Sequence, residues 1–445
     1  MCLDSLDHGT DFLVASVPIA IRTGIAAAFV LGVLKIGVAA TTWKGRGLLV
    51  STWRRSTRWE FWPPWIFYPP VFAYIAYLMV KHRSATIFTA ANPAIVAGGV
   101  VGESKYDILQ RLADASGYVA RSFLIEATLS AEAKTVVARR FMDAQCLTFP
   151  IVVKPNVGQR GSGVVIASSE DVLAQCLRQS AVDTIVQEYI GGAEFGVFYY
   201  RRPAESHGHI FSITEKRFPT VVGDGQRTLE ELILRDERGV CAARLYCDRY
   251  RDRLSSVPSD GESITLADLG THCRGALFLD GDRVRSEALE ARFDTIARGF
   301  DGFFFGRFDV RLTEDADEGI QAFRAGHGFK ILELNGVTSE ATHIYHPGTP
   351  LTTAYRVLMQ QWRIAFEIGS ENHRRGARLT SLSALIQLTR EYMRTSRRHL
   401  PEQRHQGASA TPAMSTSVKS APTGPMSVVA GPFLPAEGFN ERPRR

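Results

Sequence analysis

The chain has 445 residues, 45% of them hydrophobic and 22% charged, with a formal net charge of +6. At ~100–200 residues per domain this is room for two to four domains, and the composition excludes a wholly disordered, collagen-like or multi-span membrane protein. So mild a positive excess, with no basic helix at base-reading spacing, makes no case for nucleic acid. The six cysteines, Cys2, Cys146, Cys176, Cys241, Cys247 and Cys273, show no C-x-x-C spacing. They read as reduced thiols of a cytoplasmic protein, not as a disulfide framework or zinc site.

The chain opens Met1-Cys2-Leu3-Asp4, which lacks the positive start of a secretory signal. Phe12 to Leu34 is apolar but interrupted by Arg22, and a central arginine costs roughly 2.5–3.5 kcal/mol on insertion scales. Phe61 to Val80 carries no charge, yet Pro63, Pro64, Pro69 and Pro70 break it. The continuous helix left over, Pro70 to Lys81, is too short at ~1.5 Å per residue for a ~30 Å bilayer core. Five of the six tryptophans (Trp43, Trp53, Trp59, Trp62, Trp65) lie within 23 residues, interleaved with Lys44, Arg46, Arg54, Arg55 and Arg58. Aromatics beside bases suit an anionic headgroup layer on the inner face of the cytoplasmic membrane. A hydrophobic arm packed on its own domain or on a homodimer mate, or a true span, would also use them.

Further along, Ser84–Ala90 reads as a short strand, followed by the glycine-rich Gly98 to Lys105, whose spacing is not that of a P-loop. Tyr106 to Ala115 reads as helix, Val119–Ile125 as strand, and Ser130 to Gln145 as a helix capped by Ser130. Strands are expected at Phe149–Pro155, within Asn156–Ser168, at Thr184–Tyr189, Glu194–Arg201 and His209–Thr214, with a helix at Glu170–Gln179. Gly223 to Gly225 is a tight turn, and Thr228 with Glu231 is a capping box. Residues 301–312 and 328–336 read as two strands joined by a polar loop, and Pro350 to Gly369 as a helix. Arg374 to Arg398 holds seven arginines against one acid and reads as a basic amphipathic helix. Residues 401–445, rich in Pro, Ser, Ala, Gly and Thr, read as a disordered tail.

Four clusters carry chemistry. Lys154 ends a strand and precedes Gly158 to Gly163; a lysine beside a glycine-rich loop can hold phosphates. Gln187-Glu188-Tyr189-Ile190-Gly191-Gly192-Ala193-Glu194 is a strand edge opening into a linker. Its backbone can pair with an adenine edge and its last carboxylate with ribose hydroxyls. Lys216 is a second basic point. Finally, Arg307, Asp309 and Arg311 share one strand face, as do Glu333 and Asn335, since i and i+2 point the same way. If those strands are neighbours, Asp309, Glu333 and Asn335 converge as hard oxygen donors suited to Mg²⁺, with Leu332 and Leu334 packed behind.

In this order and spacing the clusters resemble the ATP-grasp superfamily, over about Arg83 to Gly369. They look closest to the branch of D-alanine–D-alanine ligases and other carboxylate–amine ligases. The turn Val221 to Gly225 looks like one in cyanophycin synthetase and glutathione-forming enzymes. The whole chain, aromatic arm included, also resembles bacterial carboxylate–amine ligases assigned by similarity alone. The resemblance implies an α+β fold: two α+β subdomains clasping ATP, preceded by a short α/β domain and an aromatic, apolar helical arm. It implies an arm at 1–83, a truncated pre-grasp domain at 84–126, the ATP-grasp domain at 127–370, the basic helix at 371–400 and the tail. It casts Lys154 and Lys216 as phosphate lysines and Gly158, Gly161, Ser162 and Gly163 as the loop over the phosphates. Gln187, Glu188, Tyr189 and Ile190 become the adenine linker and Glu194 the ribose carboxylate. Asp309, Glu333 and Asn335 become ligands for one or two Mg²⁺, with Mn²⁺ an alternative. Arg307, with Lys216, serves the phosphoryl group in flight.

Two features depart from the family. Gln187 stands where ligases often have Glu, and the domain that holds the acid substrate in relatives is short here. The loop after the metal strand, Gly336 to His346 with Glu340, His343 and Tyr345, matches no family role. The implied activity is ATP-dependent joining of a small-molecule carboxylate to an amine through an acyl phosphate. A small-molecule kinase and a non-catalytic, membrane-associated ATP-binding protein are the rival readings.

Overall fold

The computed structural model describes residues 30–31, 34–35, 37–158, 163–236, 239–266, 276–314 and 316–398. The expected tail and the first apolar stretch lie outside these, apart from Val30, Leu31 and Leu34. Two helices open the described chain. Helix α1 (Trp43–Thr57) is capped by Thr42, whose hydroxyl accepts from Gly45 N–H at 3.0 Å. Helix α2 (Pro69–Lys81) begins with two prolines, at positions whose N–H groups would have no partner in the helix anyway.

Residues 84–90, expected as a strand, are not one. Ile87–Ala91 forms a 3-10 helix buried on all sides. Its carbonyls are met by a side chain rather than a neighbouring strand: Asn372 Nδ2 donates to Ala90 O at 3.0 Å. The β-branched composition signalled a strand, but packing against a helix decided the conformation.

Helix α3 (Lys105–Arg111) starts at its Ser104 cap. Strand β1 (Ser122–Ile125) follows, then α4 (Ala131–Ala144), β2 (Ile151–Pro155), β3 (Val165–Ala167), α5 (Glu170–Gln179) and β4 (Thr184–Glu188). The strands form an antiparallel sheet in the order β1-β4-β2-β3. Because β1 pairs with β4, the end of the stretch expected as a separate pre-grasp domain is built into this sheet. Ile125, Ala138, Met142, Val153, Leu173 and Leu177 close its core with α4 and α5.

The second sheet is larger. Strands β5 (Glu194–Tyr200) and β6 (His209–Arg217) form a hairpin, and the short pair β7 (Thr220–Val222) and β8 (Ser263–Thr265) brackets helices α6 (Leu229–Arg235) and α7 (Ala243–Arg249). The capping box of Thr228 and Glu231 opens α6 as expected. Next come β9 (Leu277–Asp280), α8 (Glu287–Gly299), β10 (Phe305–Leu312), α9 (Ala316–Arg324) and β11 (Phe329–Asn335). The antiparallel order is β11-β10-β5-β6-β9. Helix α9 replaces the polar loop expected between the last two strands; Phe323 is wholly buried and Ile320 packs beside it. Phe195, Val197, Phe308, Val310, Phe329 and Ile331 form one face of the sheet, covered by Leu289, Phe293 and Ile296 of α8.

Helix α10 (Leu351–Arg374) runs past its expected end and α11 (Leu382–Arg398) follows. Beneath α10 lie the arm's Phe67, Val71, Ile75 and Leu78, together with Phe198 and Phe305. Trp59 stacks on Phe67 at 5.1 Å between centroids, and its Nε1 donates to Thr349 O at 2.8 Å. Of the arrangements open for the arm, the described portion packs on its own domain. Among the described residues no helix is long and apolar enough to cross a membrane.

Candidate active site

The site forms where strand alternation turns polar. Along β10, Phe308, Val310 and Leu312 face the core under α8, which sends Arg307, Asp309 and Arg311 to the opposite face. On β11 the register places Glu333 opposite Asp309 and Asn335 opposite Arg307, but Ile331 opposite Val310. Leu332 is therefore an extra residue, a β-bulge of the kind that re-aims side chains beside active sites. This corrects the expectation that Leu332 packs behind the strand; only Leu334 does. The bulge frees the Leu332 carbonyl, which accepts from Lys154 Nζ at 3.0 Å and from Gln187 Nε2 at 3.2 Å.

Those two contacts tie the sheets together. Lys154 ends β2, Gln187 lies near the end of β4, and both are buried. Lys154 also donates to Gln187 Oε1 at 2.8 Å. Glu188, next on the strand, points elsewhere and pairs with Arg121. Tyr189 and Ile190 continue the linker, with Ile190 O accepting from Arg311 Nη1 at 3.0 Å. Gly158 and Gly163 flank the glycine loop; Gly161 and Ser162 lie outside the described residues. Gly163 has φ +73°, and a Cβ there would meet Pro155 at 2.8 Å.

On the second sheet Lys216 Nζ lies 2.8 Å from Glu194 and 3.1 Å from Asp309. Glu194 is buried and held on its other oxygen by Arg311, whose Nη2 lies 2.9 Å away. Arg307 grips Asp309 with Nε at 2.9 Å and Nη2 at 3.1 Å, and spends Nη1 on Glu340 O at 2.9 Å. Asn335 Nδ2 lies 3.1 Å from Asp309 Oδ2. Gly196, opposite Asp309 across β5, leaves room for this pair: a Cβ would meet Arg307 Cδ at 3.1 Å.

The structure brings in residues that sequence reasoning passed over. Lys105, at the start of α3, is ion-paired with Glu333. Its helix is fixed by Asn156, whose Oδ1 accepts from Tyr106 N–H at 3.0 Å and from Ser104 Oγ at 3.1 Å. Glu103 sits beside Lys105 and Glu333, and burial raises its pKa. The loop Gly98–Gly99 is tied behind Gly336, with Val337 N–H donating to Gly98 O at 3.0 Å. Tyr68 of the arm donates to Glu340 Oε1 at 2.7 Å, and Tyr345 to Oε2 at 3.0 Å. Glycines at 98, 99 and 102 before a capped helix were the signal for Lys105; nothing local signalled Tyr68, which is 272 residues from its partner.

Burial works to raise the pKa of Asp309, but Arg307 and Lys216 outweigh it and hold the carboxyl well below the usual range. Glu333 is pushed up by burial and pulled lower still by Lys105 and Lys154. Burial pushes the Lys154 ammonium down to about 8, against the pull of Glu333. Lysines 105, 154 and 216 and arginines 307 and 311 converge among the carboxylates of Glu103, Glu194, Asp309, Glu333 and Glu340. Five cationic side chains brought to one place suit a polyphosphate. Among the described residues no group of three or more His, Cys, Asp or Glu side chains could hold a metal. Two carboxylates and an amide remain, a donor set that fits Mg²⁺ if phosphate oxygens and water complete the shell.

Lys154 gives a pH prediction. A phosphate prefers the ammonium form, so ATP affinity should be constant well below pH 8 and fall as pH rises through it. Well above that point the loss is roughly tenfold per pH unit. Calorimetry across this range checks it. Lys154→Ala should bind weakly at every pH; an affinity equal to wild type would remove Lys154 from the nucleotide site.

Residues 112–196 match the RimK-like ATP-grasp domain family. Over that stretch, which takes in α4, α5 and the first sheet, the chain is similar to an ATP-grasp domain. Three solved structures are similar in part. The bifunctional glutathione synthetase of Pasteurella multocida is 15% identical, with 57% of this chain and 35% of that one aligned and a TM-score of 0.33. The D-alanine–D-alanine ligase of Coxiella burnetii is 13% identical over 66% and 62% of the two chains, with a TM-score of 0.33. The ATP-grasp ligase PsnB, complexed with a minimal precursor, is 14% identical over 58% and 60%, with a TM-score of 0.32. The chain thus spans about a third of the first relative's length and three fifths of the other two. No curated protein matches it.

Proposed function

We propose that the protein is an ATP-dependent ligase that joins a small-molecule carboxylate to an amine. One observation carries the reading: Lys154, Lys216, Arg307, Asp309, Glu333 and Asn335 meet where the two sheets face each other. Lys154, Lys216 and Arg307 neutralise the γ-phosphoryl group as it moves to a carboxylate oxygen, giving an acyl phosphate and ADP. An amine then attacks the acyl carbon, the amide forms and phosphate leaves. Mg²⁺ held by Asp309, Glu333 and Asn335 would supply charge neutralisation and orientation of the phosphates. Arg307 is positioned for this by Asp309 on one side and the Glu340 carbonyl on the other. No protein nucleophile is needed.

The test is ADP release from the purified full chain, screened against amino acids, dipeptides and polyamines. Hydroxylamine should trap the acyl phosphate as a hydroxamate when the correct acid is present. ADP release that yields a phosphoester and no hydroxamate would replace the ligase reading with a kinase.

A further inference from the structure

One surface of the arm has no place in this chemistry. Helix α2 is locked to the domain by Val71, Ile75 and Leu78, all buried. Its outer face nevertheless carries Phe72, Ala73, Ala76, Tyr77 and Val80 in solvent, with Trp65 on the short helical turn Pro64–Phe67 before it. Trp65 is 75% exposed and Val80 77%. No charged side chain interrupts this face before Lys81. Exposed apolar faces of this kind mark interaction sites.

Charge selects the occupant. Between residues 12 and 102 the chain has nine lysines and arginines and a single acid, Glu60, which is buried. Arg46, Arg55, Lys81 and Arg83 are exposed around the aromatic stretch. A second copy seated on this face by two-fold symmetry would set these bases against their own like, with no exposed acid among the described residues of the arm to offset them. An anionic lipid surface satisfies both features: indole, phenol and phenylalanine rings enter the boundary between headgroups and acyl chains while the bases meet lipid phosphates and carboxylates. We propose that the outer face of α2 and the Trp65 turn dock on an anionic bilayer, lying on it rather than crossing it. The proposal does not depend on the ligase reading, and its test needs no substrate.

The test uses the full-length protein with vesicles of phosphatidylcholine alone or mixed with phosphatidylserine. The protein should sediment with the mixed vesicles, stay in solution with the neutral ones, and be released by salt as the Debye length falls from ~10 Å at 0.1 M to ~3 Å at 1 M. Arg55→Gln and Lys81→Gln should each lower the partition coefficient about fivefold. The combined Trp65→Ser, Phe72→Ser, Val80→Ser variant should lose binding with its thermal midpoint little changed, because all three side chains stand mostly in solvent and Phe72 meets the Tyr68 ring at 5.8 Å from outside the core. The proposal is overturned if the protein ignores anionic vesicles, binds neutral ones equally, or binds unchanged in the triple variant. It is also overturned by a concentration-dependent dimer that the triple variant abolishes, since the face would then belong to a second copy.

Discussion

Glu333→Gln is expected to cut ADP release by about 10²–10³-fold while leaving the fold in place. The change keeps the shape of the side chain and removes one negative charge from the strand position opposite Asp309. Lys105 loses its partner, but both side chains retain some contact with water, so the freed ammonium can be solvated. Asp309→Asn should be equally inactive for a harsher reason. Asp309 is the shared counter-ion of Lys216, which is buried, and of Arg307, which is nearly so. Removing one partner of a buried ion pair costs about 3–5 kcal/mol. The two variants should therefore separate in a thermal melt and coincide in the turnover assay. ADP release near the wild-type rate in either would detach these residues from the metal assignment.

Deleting residues 1–83 is expected to give insoluble protein. In sequence the arm stood ahead of the ATP-grasp stretch with membrane contact, packing on its own domain and packing on a dimer mate all open. In the fold Phe67, Val71, Ile75 and Leu78 are part of the same core as Leu358, Phe366 and Ile368 of α10. Leu78→Ala alone should cost about 2–5 kcal/mol, a large share of a total stability of about 5–15 kcal/mol. Removing all four side chains uncovers the length of α10 as well. Soluble yield of the truncation and the melting temperature of Leu78→Ala test this. A soluble remainder that still binds ATP would show the arm to be an independent module.

What could be read from the sequence follows the range of the interactions. Period-two alternation within Phe305–Leu312 was enough to put Arg307, Asp309 and Arg311 on one face, because the polar and apolar positions sort themselves locally. The pairing of β10 with β11 stood as a condition of that reading, and the register meets it, with Asp309 opposite Glu333. The bulge at Leu332 was hidden, since a leucine there reads like any core residue. Residues 84–90 misled because Thr and Ile favour strands, whereas Asn372, far along the chain, supplies the hydrogen bonds that settle the conformation. Lys105 was missed for the same reason: its significance lies in Glu333, 228 residues away. Helix α9 left a faint trace, Ile320 and Phe323 three apart, easily lost in a polar segment of nine residues.

Tyr68 stands between the docking face proposed for the arm and the candidate active site. Its residue begins the turn into α2, its hydroxyl reaches Glu340, and the Glu340 backbone holds the arginine assigned to phosphoryl transfer. Were Tyr68 to take one setting with α2 docked and another with nucleotide bound, binding at the two places would be linked, and the linkage would run both ways. A surface that grips α2 and prefers one setting of Tyr68 changes nucleotide affinity by the factor by which nucleotide changes the grip. A protein wired in this manner would hold ATP with an affinity that reports where in the cell it is standing.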